Sequence, residues 1–257
     1  NNLKVLAILQ ARTSSSRLPN KVLLPLHNAP MIIQQVKRLE RSKLIDKLIV
    51  ATSIEASDLK LVELLKQHGV DYYQGSLDNV LERFYQAAHL WKPEHIVRLT
   101  GDCPLTDPDI IDRVVEKHLQ CNADYTSNVN PPTFPDGLDI EIMTFSALKH
   151  SWENAQLKSD KEHVTPYIKK HPELFKIENY EASMDYSHMR WTVDEPEDFE
   201  FAEAVYSELY YKNKDFNYND ILQLIKQNKQ IEKINKKFVR NEGYLKSLKK
   251  DVEKDLK

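Results

Sequence analysis

A connection rich in cations is the first segment of the sequence that could carry phosphoryl chemistry. It runs from Gln10 to Lys21 and holds Arg12, Arg17 and Lys21 among several hydroxyl side chains. Fixed cations after a strand suit a triphosphate, because they stabilise charge that develops on phosphoryl oxygens and on departing pyrophosphate. The alternative is a solvated basic loop, a common surface feature. The segment contains no glycine, which excludes a Walker loop and a dinucleotide-binding glycine fingerprint.

Two further segments each place an aspartate at the end of a predicted strand. In segment 99–108, Asp102 follows Gly101, and in segment 190–199, Asp194 precedes a predicted helix. A carboxylate in either place could hold Mg²⁺ through one or two oxygens while substrate phosphates complete the coordination shell. The alternatives are a turn aspartate for Asp102 and a helix N-cap for Asp194. From spacing alone, the cap is the stronger interpretation of Asp194.

Alternating strands and helices are predicted to position these segments. Near-continuous apolar runs predict buried strands, and apolar residues at helical spacing predict a helix after each. Four such units in roughly the first 120 residues indicate a doubly wound, mostly parallel α/β sheet. Ligands bind such sheets at the carboxyl ends of the strands, so the polar residues there should share one rim. The predicted strands are 3–9, 46–53, 70–75 and 95–102, and the predicted helices are 31–39, 57–67, 78–90 and one that begins at Pro108.

The second half is predicted to be a smaller, irregular α+β region that serves as a lid or dimerisation arm. We predict a nucleotidyltransferase domain over 1–212, with an acceptor-binding or dimerisation subregion at 135–185. A helical, lysine-rich extension follows over 213–257, and it is interpreted as a solvated face rather than a binding site. The predicted strands here are 137–145, 175–182 and 189–194, and the predicted helices are 160–170, 195–209 and 218–227.

The bulk composition excludes several classes of protein. The 257 residues are 41% hydrophobic and 29% charged with a formal net charge of −3, so we expect a sizeable core and no nucleic-acid binding. The two cysteines, Cys103 and Cys121, make neither a disulfide framework nor a Cys-x-x-Cys zinc pair. No apolar run reaches the length of a membrane span. We therefore predict a cytoplasmic protein without a membrane partner.

Taken in order, the three charged segments resemble the CMP-sugar synthetase (cytidylyltransferase) family, which includes CMP-Kdo and CMP-acylneuraminate synthetases. The likeness covers roughly residues 3 to 210. Its matching positions are Ala11–Arg12, Ser15–Lys21, Gly101–Asp102 and Val193–Asp198. A closer resemblance, to spore-coat polysaccharide biosynthesis cytidylyltransferase-like proteins, rests on DNVLERF (78–84), PDGLDIEI (135–142), EHVTPYI (162–168) and RNEGYLKSL (240–248).

The resemblance implies a nucleotidyltransferase with a nucleotide-diphospho-sugar transferase-like fold. Such an enzyme would transfer CMP from CTP to a sugar-like, acidic acceptor, with Mg²⁺ as cofactor and pyrophosphate as the second product, in surface-glycan biosynthesis. It would also be a homodimer. By the same resemblance, Asp102 and Asp194 hold Mg²⁺. The implied triphosphate contacts are Arg12, Arg17 and Lys21, and the implied nucleotide contacts are Ala11, Ser16, Asp78, Gly101 and Arg83, the last near the base.

The sequence departs from the CMP-Kdo pattern at three places. Gln10 stands where that pattern has proline, Asn20 where it has glycine, and segment 78–83 where it has Ser-Gly-Thr-x-Arg. These departures bear on the acceptor and on the base, and they leave the phosphate and metal groups intact.

The acceptor is predicted to meet polar side chains of the irregular half. Carboxylates and imidazoles commonly bind hydroxyl-rich ligands because they accept or share protons. For His163 the alternative is a helix-surface histidine or a partner of Glu162. The predicted acceptor-binding residues are Asp136, Asp139, Glu141 and His163.

Two other enzyme classes compete with this interpretation. A sugar-1-phosphate nucleotidyltransferase that uses another NTP shares the fold type, but such enzymes usually have a glycine-rich first loop. A glycosyltransferase would use a preformed nucleotide-sugar and an Asp-x-Asp metal motif, which Asp107-Pro108-Asp109 matches as a string. Pro108 at a predicted helix start argues against that motif, since Asp107 then suits an N-cap.

Overall fold

A seven-stranded sheet lies at the centre of the fold in the computed structural model, which describes residues 3–240 and 242–255. Apolar residues of high β-propensity fill its central strands, as in the burial of Val5 to Leu9. The strands of the central sheet are β1 (Leu3–Gln10), β4 (Lys47–Ser53), β5 (Tyr72–Gly75), β6 (Pro93–Thr100), β7 (Tyr125–Ser127), β8 (Glu141–Thr144) and β9 (Ile177–Asn179). Two short strands, β2 (Pro25–Leu26) and β3 (Ala29–Pro30), pair with each other in a separate sheet.

The helices follow the strands in alternation through the first half and cluster in the second. Most of them begin at a recognisable signal, such as Asn79 capping α3 through Glu82 N at 3.0 Å. They are α1 (Met31–Leu39), α2 (Leu59–Gln67), α3 (Val80–Trp91), α4 (Pro108–Gln120), α5 (Phe145–Asn154), α6 (Lys158–His163), α7 (Pro166–Lys169), α8 (Pro196–Leu209), α9 (Tyr218–Gln227), α10 (Lys229–Lys233) and α11 (Glu242–Asp255).

The sheet is mostly parallel and doubly wound, as predicted. Its strand order is β5-β4-β1-β6-β8-β7-β9, and only β8 runs antiparallel to its neighbours within the described residues. Alternate residues of β1 enter different cores: Val5 and Leu9 pack with α1 and α4, whereas Leu6 and Ile8 pack with α3 and α5. The carboxyl ends of β1 and β6 are adjacent, which brings Gln10 opposite Thr100.

The second half differs from the prediction at four elements, one of which is the strand 175–182, shortened to β9 (Ile177–Asn179). The predicted strand 137–145 is reduced to β8, because Gly137 has φ +113° and the chain turns there. The predicted strand 189–194 forms no ladder, since its N–H groups bond to two separate segments: Trp191 N to Asp136 O and Val193 N to Asp102 O. The predicted helix 160–170 is divided into α6 and α7, because Val164 has φ +69° and Pro166 starts a new helix.

The chain beyond residue 212 packs on the sheet rather than standing apart as a solvated face. Phe216 and Ile221 are buried in the same core as β1, together with Ile225 and Ile231. They come from α9, from α10 and from the turn before α9. Within residues 3–240 and 242–255, the structure contains no helix that is both long and apolar enough to cross a membrane.

A buried histidine pair couples the stability of this fold to acid pH. His118 on α4 is fully buried, with Nδ1 2.9 Å from Thr126 Oγ1 and Nε2 3.0 Å from His95 Nδ1. Burial, and then the proximity of His95, lowers the pKa of His118 to about 3. The ordinary pKa of histidine is about 6.5. Between that pH and about pH 3, His118 therefore carries a proton in the unfolded chain but not in the folded chain.

We expect the free energy of unfolding to fall as the pH drops through that window, by up to about 1.4 kcal/mol per pH unit from this group. His118→Gln should flatten that part of the curve. His68→Gln, at an exposed position, is the matched control and should leave the slope unchanged. Urea denaturation from about pH 7 to about pH 4 measures the slope, and the same slope in His118→Gln and wild type would assign the acid sensitivity to another group.

Candidate active site

The basic connection after β1 forms one side of a large cleft. The cleft has a volume of about 420 Å³, and Arg12, Arg17 and Lys21 all line it. Arg12 is exposed at its edge, whereas the side chains of Arg17 and Lys21 are 30% and 14% exposed. The structure thus brings the three predicted cations together at the carboxyl end of β1.

A buried aspartate holds this connection in place. Asp58 Oδ1 accepts from Thr13 N at 2.7 Å and from Thr13 Oγ1 at 2.8 Å, and Ser53 Oγ donates to the other oxygen. Asp58 stands at the N-cap position of α2, but its side chain accepts no hydrogen bond from that helix and fixes the loop instead.

Asn20 has a left-handed backbone at the point where the loop turns into Lys21. Its φ is +58°, and its N–H bonds to Thr13 O at 3.1 Å. Asparagine adopts this conformation more readily than other non-glycine residues. The departure from glycine at this position therefore preserves the turn that presents Lys21 to the cleft.

The two predicted metal ligands face the same cleft and are tied to each other through the backbone. Asp102 and Asp194 both line it. Val193 N donates to Asp102 O at 2.8 Å, which fixes the segment before α8 against the turn after β6. Lys21 Nζ lies 3.0 Å from Asp194 Oδ1, so the basic loop and the carboxylates form one continuous charged surface.

The N-cap of α8, which was the alternative role for Asp194, is formed by other residues. Glu195 is the N-cap of α8, and Asp198 Oδ2 accepts from Glu195 N at 2.8 Å and from Asp194 N at 3.0 Å. The interpretation of Asp194 as the cap is therefore wrong, and its carboxylate points instead toward Lys21 and Arg17, at 3.0 and 3.7 Å.

The electrostatics of the two carboxylates fit a divalent cation. Burial by itself would raise the pKa of Asp102, but the Lys21 ammonium and hydrogen bonds from Thr100 and Cys103 lower it overall. Burial, and then the charge of Asp102, raises the pKa of Asp194. A divalent cation held by Asp102 and Asp194 would offset the repulsion between the two carboxylates.

A site with two carboxylates is compatible with Mg²⁺. In the part of the chain that the structure describes, no group of three or more His, Cys, Asp or Glu side chains is arranged to hold a metal. Mg²⁺ is commonly held by one or two carboxylates, with substrate phosphates and water completing six ligands. Asp102 and Asp194 therefore fit Mg²⁺ that binds together with a nucleotide.

Two small residues form the floor of the cleft. A Cβ on Gly101 would lie 2.9 Å from Ala11 Cβ and 3.0 Å from Gln10 O, so a larger residue would displace β1 from β6. Gly101 N donates to Gln10 O at 2.7 Å. Ala11 and Gly101 thus keep the floor open. Ser16 lines the cleft as well.

Arg83 lies beside the cleft rather than in its wall. It is buried on α3 and lines a pocket of about 330 Å³ that shares Asp78 with the cleft. Its three guanidinium nitrogens have no hydrogen-bond partner among the described residues. Burial, and then the charge of Arg12, lowers the pKa of Arg83 to about 10, so it stays charged at neutral pH. Contact between Arg83 and the base stays a prediction.

All four predicted acceptor residues line one or both of two smaller pockets that adjoin the cleft, and His163 lines the cleft as well. Asp136, Asp139 and His163 line a pocket of about 220 Å³, together with Asp102 and Asp194. A pocket of about 190 Å³ shares Asp139 and His163 with it. The acceptor candidates therefore lie next to the metal candidates.

The charge of these acidic residues is partly suppressed by burial. Burial, and then the charge of Asp139, raises the pKa of Asp136 to about 7. Burial also raises the pKa of Asp139, although Arg240 Nη2 lies 3.0 Å from its Oδ1 and opposes the shift. Asp136 and Asp139 therefore keep their protons to a higher pH than ordinary aspartates do.

Glu141 is already bound within the protein. Arg98 Nη1 donates to its Oε1 at 2.7 Å, and the Tyr125 hydroxyl donates to Oε2. Burial would raise the pKa of Glu141, but Lys169 and Arg98 lower it overall. Glu141 still lines the 190 Å³ pocket. Its hydrogen bond from Arg98 orients the Arg98 side chain.

Asp107 is a structural residue, which removes the basis for an Asp-x-Asp metal motif. Its Oδ1 accepts from Asp109 N at 2.8 Å and from Ile110 N at 3.2 Å, so it caps α4. Its Oδ2 accepts from Tyr218 N at 2.8 Å. The cap predicted for Asp107 is confirmed.

Several residues of the cleft were not identified from the sequence. Arg98 alternates with apolar residues in β6 and was interpreted only as part of a buried strand. Gly243 and Lys250 lie in the lysine-rich extension that was interpreted as a solvated face. The spacing of apolar residues does not predict that Gly243 and Lys250 reach the cleft, because their positions depend on how α11 packs. The cleft residues that were missed are Arg98, Thr100, Lys158, Glu162, Gly243 and Lys250.

Comparison with known proteins supports an enzyme with this cleft. The cytidylyltransferase family pattern matches residues 6–239. The chain is 42% identical to an uncharacterised protein of Methanocaldococcus jannaschii, over 94% of this chain and 98% of that protein. It is 33% identical to the spore coat polysaccharide biosynthesis protein SpsF of Bacillus subtilis, over 87% of this chain and 95% of that protein.

A solved structure extends the likeness to three dimensions. A cytidylyltransferase from Leptospira borgpetersenii superimposes with a TM-score of 0.86 at 35% identity, covering 93% of this chain and 100% of that chain. The matched range contains the basic loop, Asp102 and Asp194. The prediction that the chain is a nucleotidyltransferase is therefore confirmed, and the chain belongs to the cytidylyltransferase family.

Proposed function

We propose that this cytidylyltransferase transfers CMP from CTP to a sugar-like acceptor, with Mg²⁺ as cofactor and release of pyrophosphate, in surface-glycan biosynthesis. The observation that carries the proposal is the junction of Lys21 with Asp194, 3.0 Å apart in the wall of the large cleft. Cations for a triphosphate and carboxylates for a divalent ion meet there, and the acceptor pocket begins at the same carboxylates. The similarity to SpsF supports the role in surface glycans.

The chemistry requires no covalent intermediate with the enzyme. An acceptor oxygen, from a hydroxyl, carboxylate or phosphate group, attacks the α-phosphorus of CTP in line, and pyrophosphate leaves. Arg12, Arg17 and Lys21 bind the triphosphate and stabilise the charge that grows on the leaving group. Asp102 and Asp194 would hold Mg²⁺, which supplies Lewis-acid polarisation of the phosphoryl oxygens when bound.

The acceptor side is proposed from the position of the smaller pockets. Asp136, Asp139 and His163 line a pocket that also contains Asp102 and Asp194, so an acceptor bound there would lie beside the proposed metal ligands. An acidic acceptor, a homodimer and a cytoplasmic location follow from the family resemblance, and they stay predictions.

A comparison of nucleotides tests the proposal against its rivals. Pyrophosphate release is measured with CTP, UTP, GTP and dTTP in the presence of Mg²⁺ and a panel of sugars and sugar acids. We expect release with CTP and an acid sugar. Pyrophosphate release with another NTP and a sugar 1-phosphate would identify a sugar-1-phosphate nucleotidyltransferase. Turnover of nucleotide-sugars without pyrophosphate release would identify a glycosyltransferase.

A further inference from the structure

The last helix of the described chain is fixed against the acceptor side of the site. α11 packs on α6, where Ser247 Oγ donates to Glu162 Oε2 at 2.7 Å and lies 2.9 Å from His163 Nε2. One turn later, Asp251 accepts from Ser159 N at 3.3 Å and from the Ser159 hydroxyl. Ser159 is fully buried and Ser247 nearly so, which makes this a packed interface rather than a loose end.

The chain that enters α11 is anchored on the predicted acceptor segment. Arg240 Nη2 lies 3.0 Å from Asp139 Oδ1, and Arg240 Nη1 donates to Phe134 O at 3.3 Å. These contacts hold the N-terminal turn of α11 over the segment that carries Asp136 and Asp139. Two sets of contacts therefore fix the position of α11: its own contacts with α6, and the bonds of the preceding Arg240 to residues 134–139.

The consequence is that Tyr244 stands in the wall of both smaller pockets. It lines the 220 Å³ pocket with Asp136, and it lines the 190 Å³ pocket with Glu141. Its ring is 5.3 Å from the His163 ring at an angle of 76°, which fixes its orientation. Tyr244 is half-buried, and it is not part of the lining of the large nucleotide cleft.

We propose that Tyr244 determines acceptor specificity, by packing its ring against the apolar face of a hydroxylated sugar ring in the pocket that Asp136 and Asp139 line. This inference rests on the proposed function of the site. An aromatic ring and carboxylates in the lining of one pocket suit a pyranose-like ligand, because the ring carbons need an apolar partner and the hydroxyl groups need acceptors. On this proposal the lysine-rich extension supplies part of the acceptor pocket, whereas the sequence predicted a solvated face rather than a binding site.

The test separates acceptor binding from nucleotide binding. The wild-type enzyme is first screened with CTP against 3-deoxy-manno-octulosonate, N-acetylneuraminate and neutral hexoses, and the sugar that supports the fastest pyrophosphate release is used as the probe. KM for that sugar, KM for CTP and kcat are then measured for Tyr244→Ala and Tyr244→Phe. Tyr211→Ala, at a position 71% exposed, is the matched control.

We expect Tyr244→Ala to raise KM for the sugar by about tenfold, with KM for CTP changed less than about twofold. Tyr244→Phe, which keeps the ring, and Tyr211→Ala should stay close to wild type. An unchanged KM for the sugar in Tyr244→Ala, or an equal rise in both KM values, would overturn the inference while leaving the proposed function intact. Absence of CTP-dependent turnover in the wild type with every sugar would reject the proposed function, and the inference with it.

Discussion

Replacement of Lys21 by alanine is expected to lower kcat by about 10²- to 10³-fold, with little change in the stability of the fold. Lys21 Nζ is held by Val193 O at 2.9 Å and Asp194 Oδ1 at 3.0 Å, so its charge is fixed at the cleft before substrate arrives. A fixed cation stabilises the charge of departing pyrophosphate without reorganisation, and loss of one such donor typically has this magnitude. Arg17→Ala should have an effect of the same order.

Pyrophosphate release under saturating CTP measures this effect, and the thermal midpoint reports on folding. Lys60→Ala removes an exposed lysine from α2, away from the cleft, and serves as the control for net charge. If Lys21→Ala releases pyrophosphate at a rate near that of the wild type, the basic loop does not take part in the reaction.

Asp102→Asn is expected to abolish most activity at low magnesium concentration. The substitution keeps the size of the side chain and removes the charge that a hard divalent cation requires. Higher Mg²⁺ should restore part of the rate, because Asp194 and the nucleotide phosphates remain. Chelation of the wild-type enzyme should remove activity, and Mg²⁺ or Mn²⁺ should restore it.

The magnesium dependence of kcat/KM is the measurement, and Mn²⁺ affinity in the presence of CTP provides a second readout without turnover. Asp109→Asn, at an exposed position on α4, is the matched control and should behave as the wild type does. Full activity of Asp102→Asn at low magnesium, with unchanged Mn²⁺ affinity, would mean that Asp102 is not a metal ligand.

The first half of the fold was predictable because the spacing of its apolar residues distinguishes strands from helices. Continuous apolar strands such as β1, followed by helices with one apolar face such as α1, leave few other arrangements. The rim at the strand ends followed from that topology, and with it the proximity of Lys21 and Asp102. Local sequence therefore carried most of the information about the nucleotide side.

The acceptor side was less predictable, because tertiary contacts decide its structure. Residues 189–194 alternate as a strand does, but their hydrogen bonds go to Asp136 and Asp102 instead of a neighbouring ladder. Asp194 has the position of a cap, yet the Glu195–Asp198 pair takes that role and leaves its carboxylate for the cleft. Tyr244 reaches the site only because α11 packs on α6, which no period in the sequence encodes.

The mass of the product formed from CTP tests the central proposal most directly. The enzyme is incubated with CTP, Mg²⁺ and the panel of sugars and sugar acids, and the products are separated and weighed by mass spectrometry. The account predicts a conjugate whose mass equals that of one acceptor plus CMP less one water, formed in equal amount with pyrophosphate. CTP that is left intact with every acceptor, or a conjugate that appears only with another NTP, would contradict it.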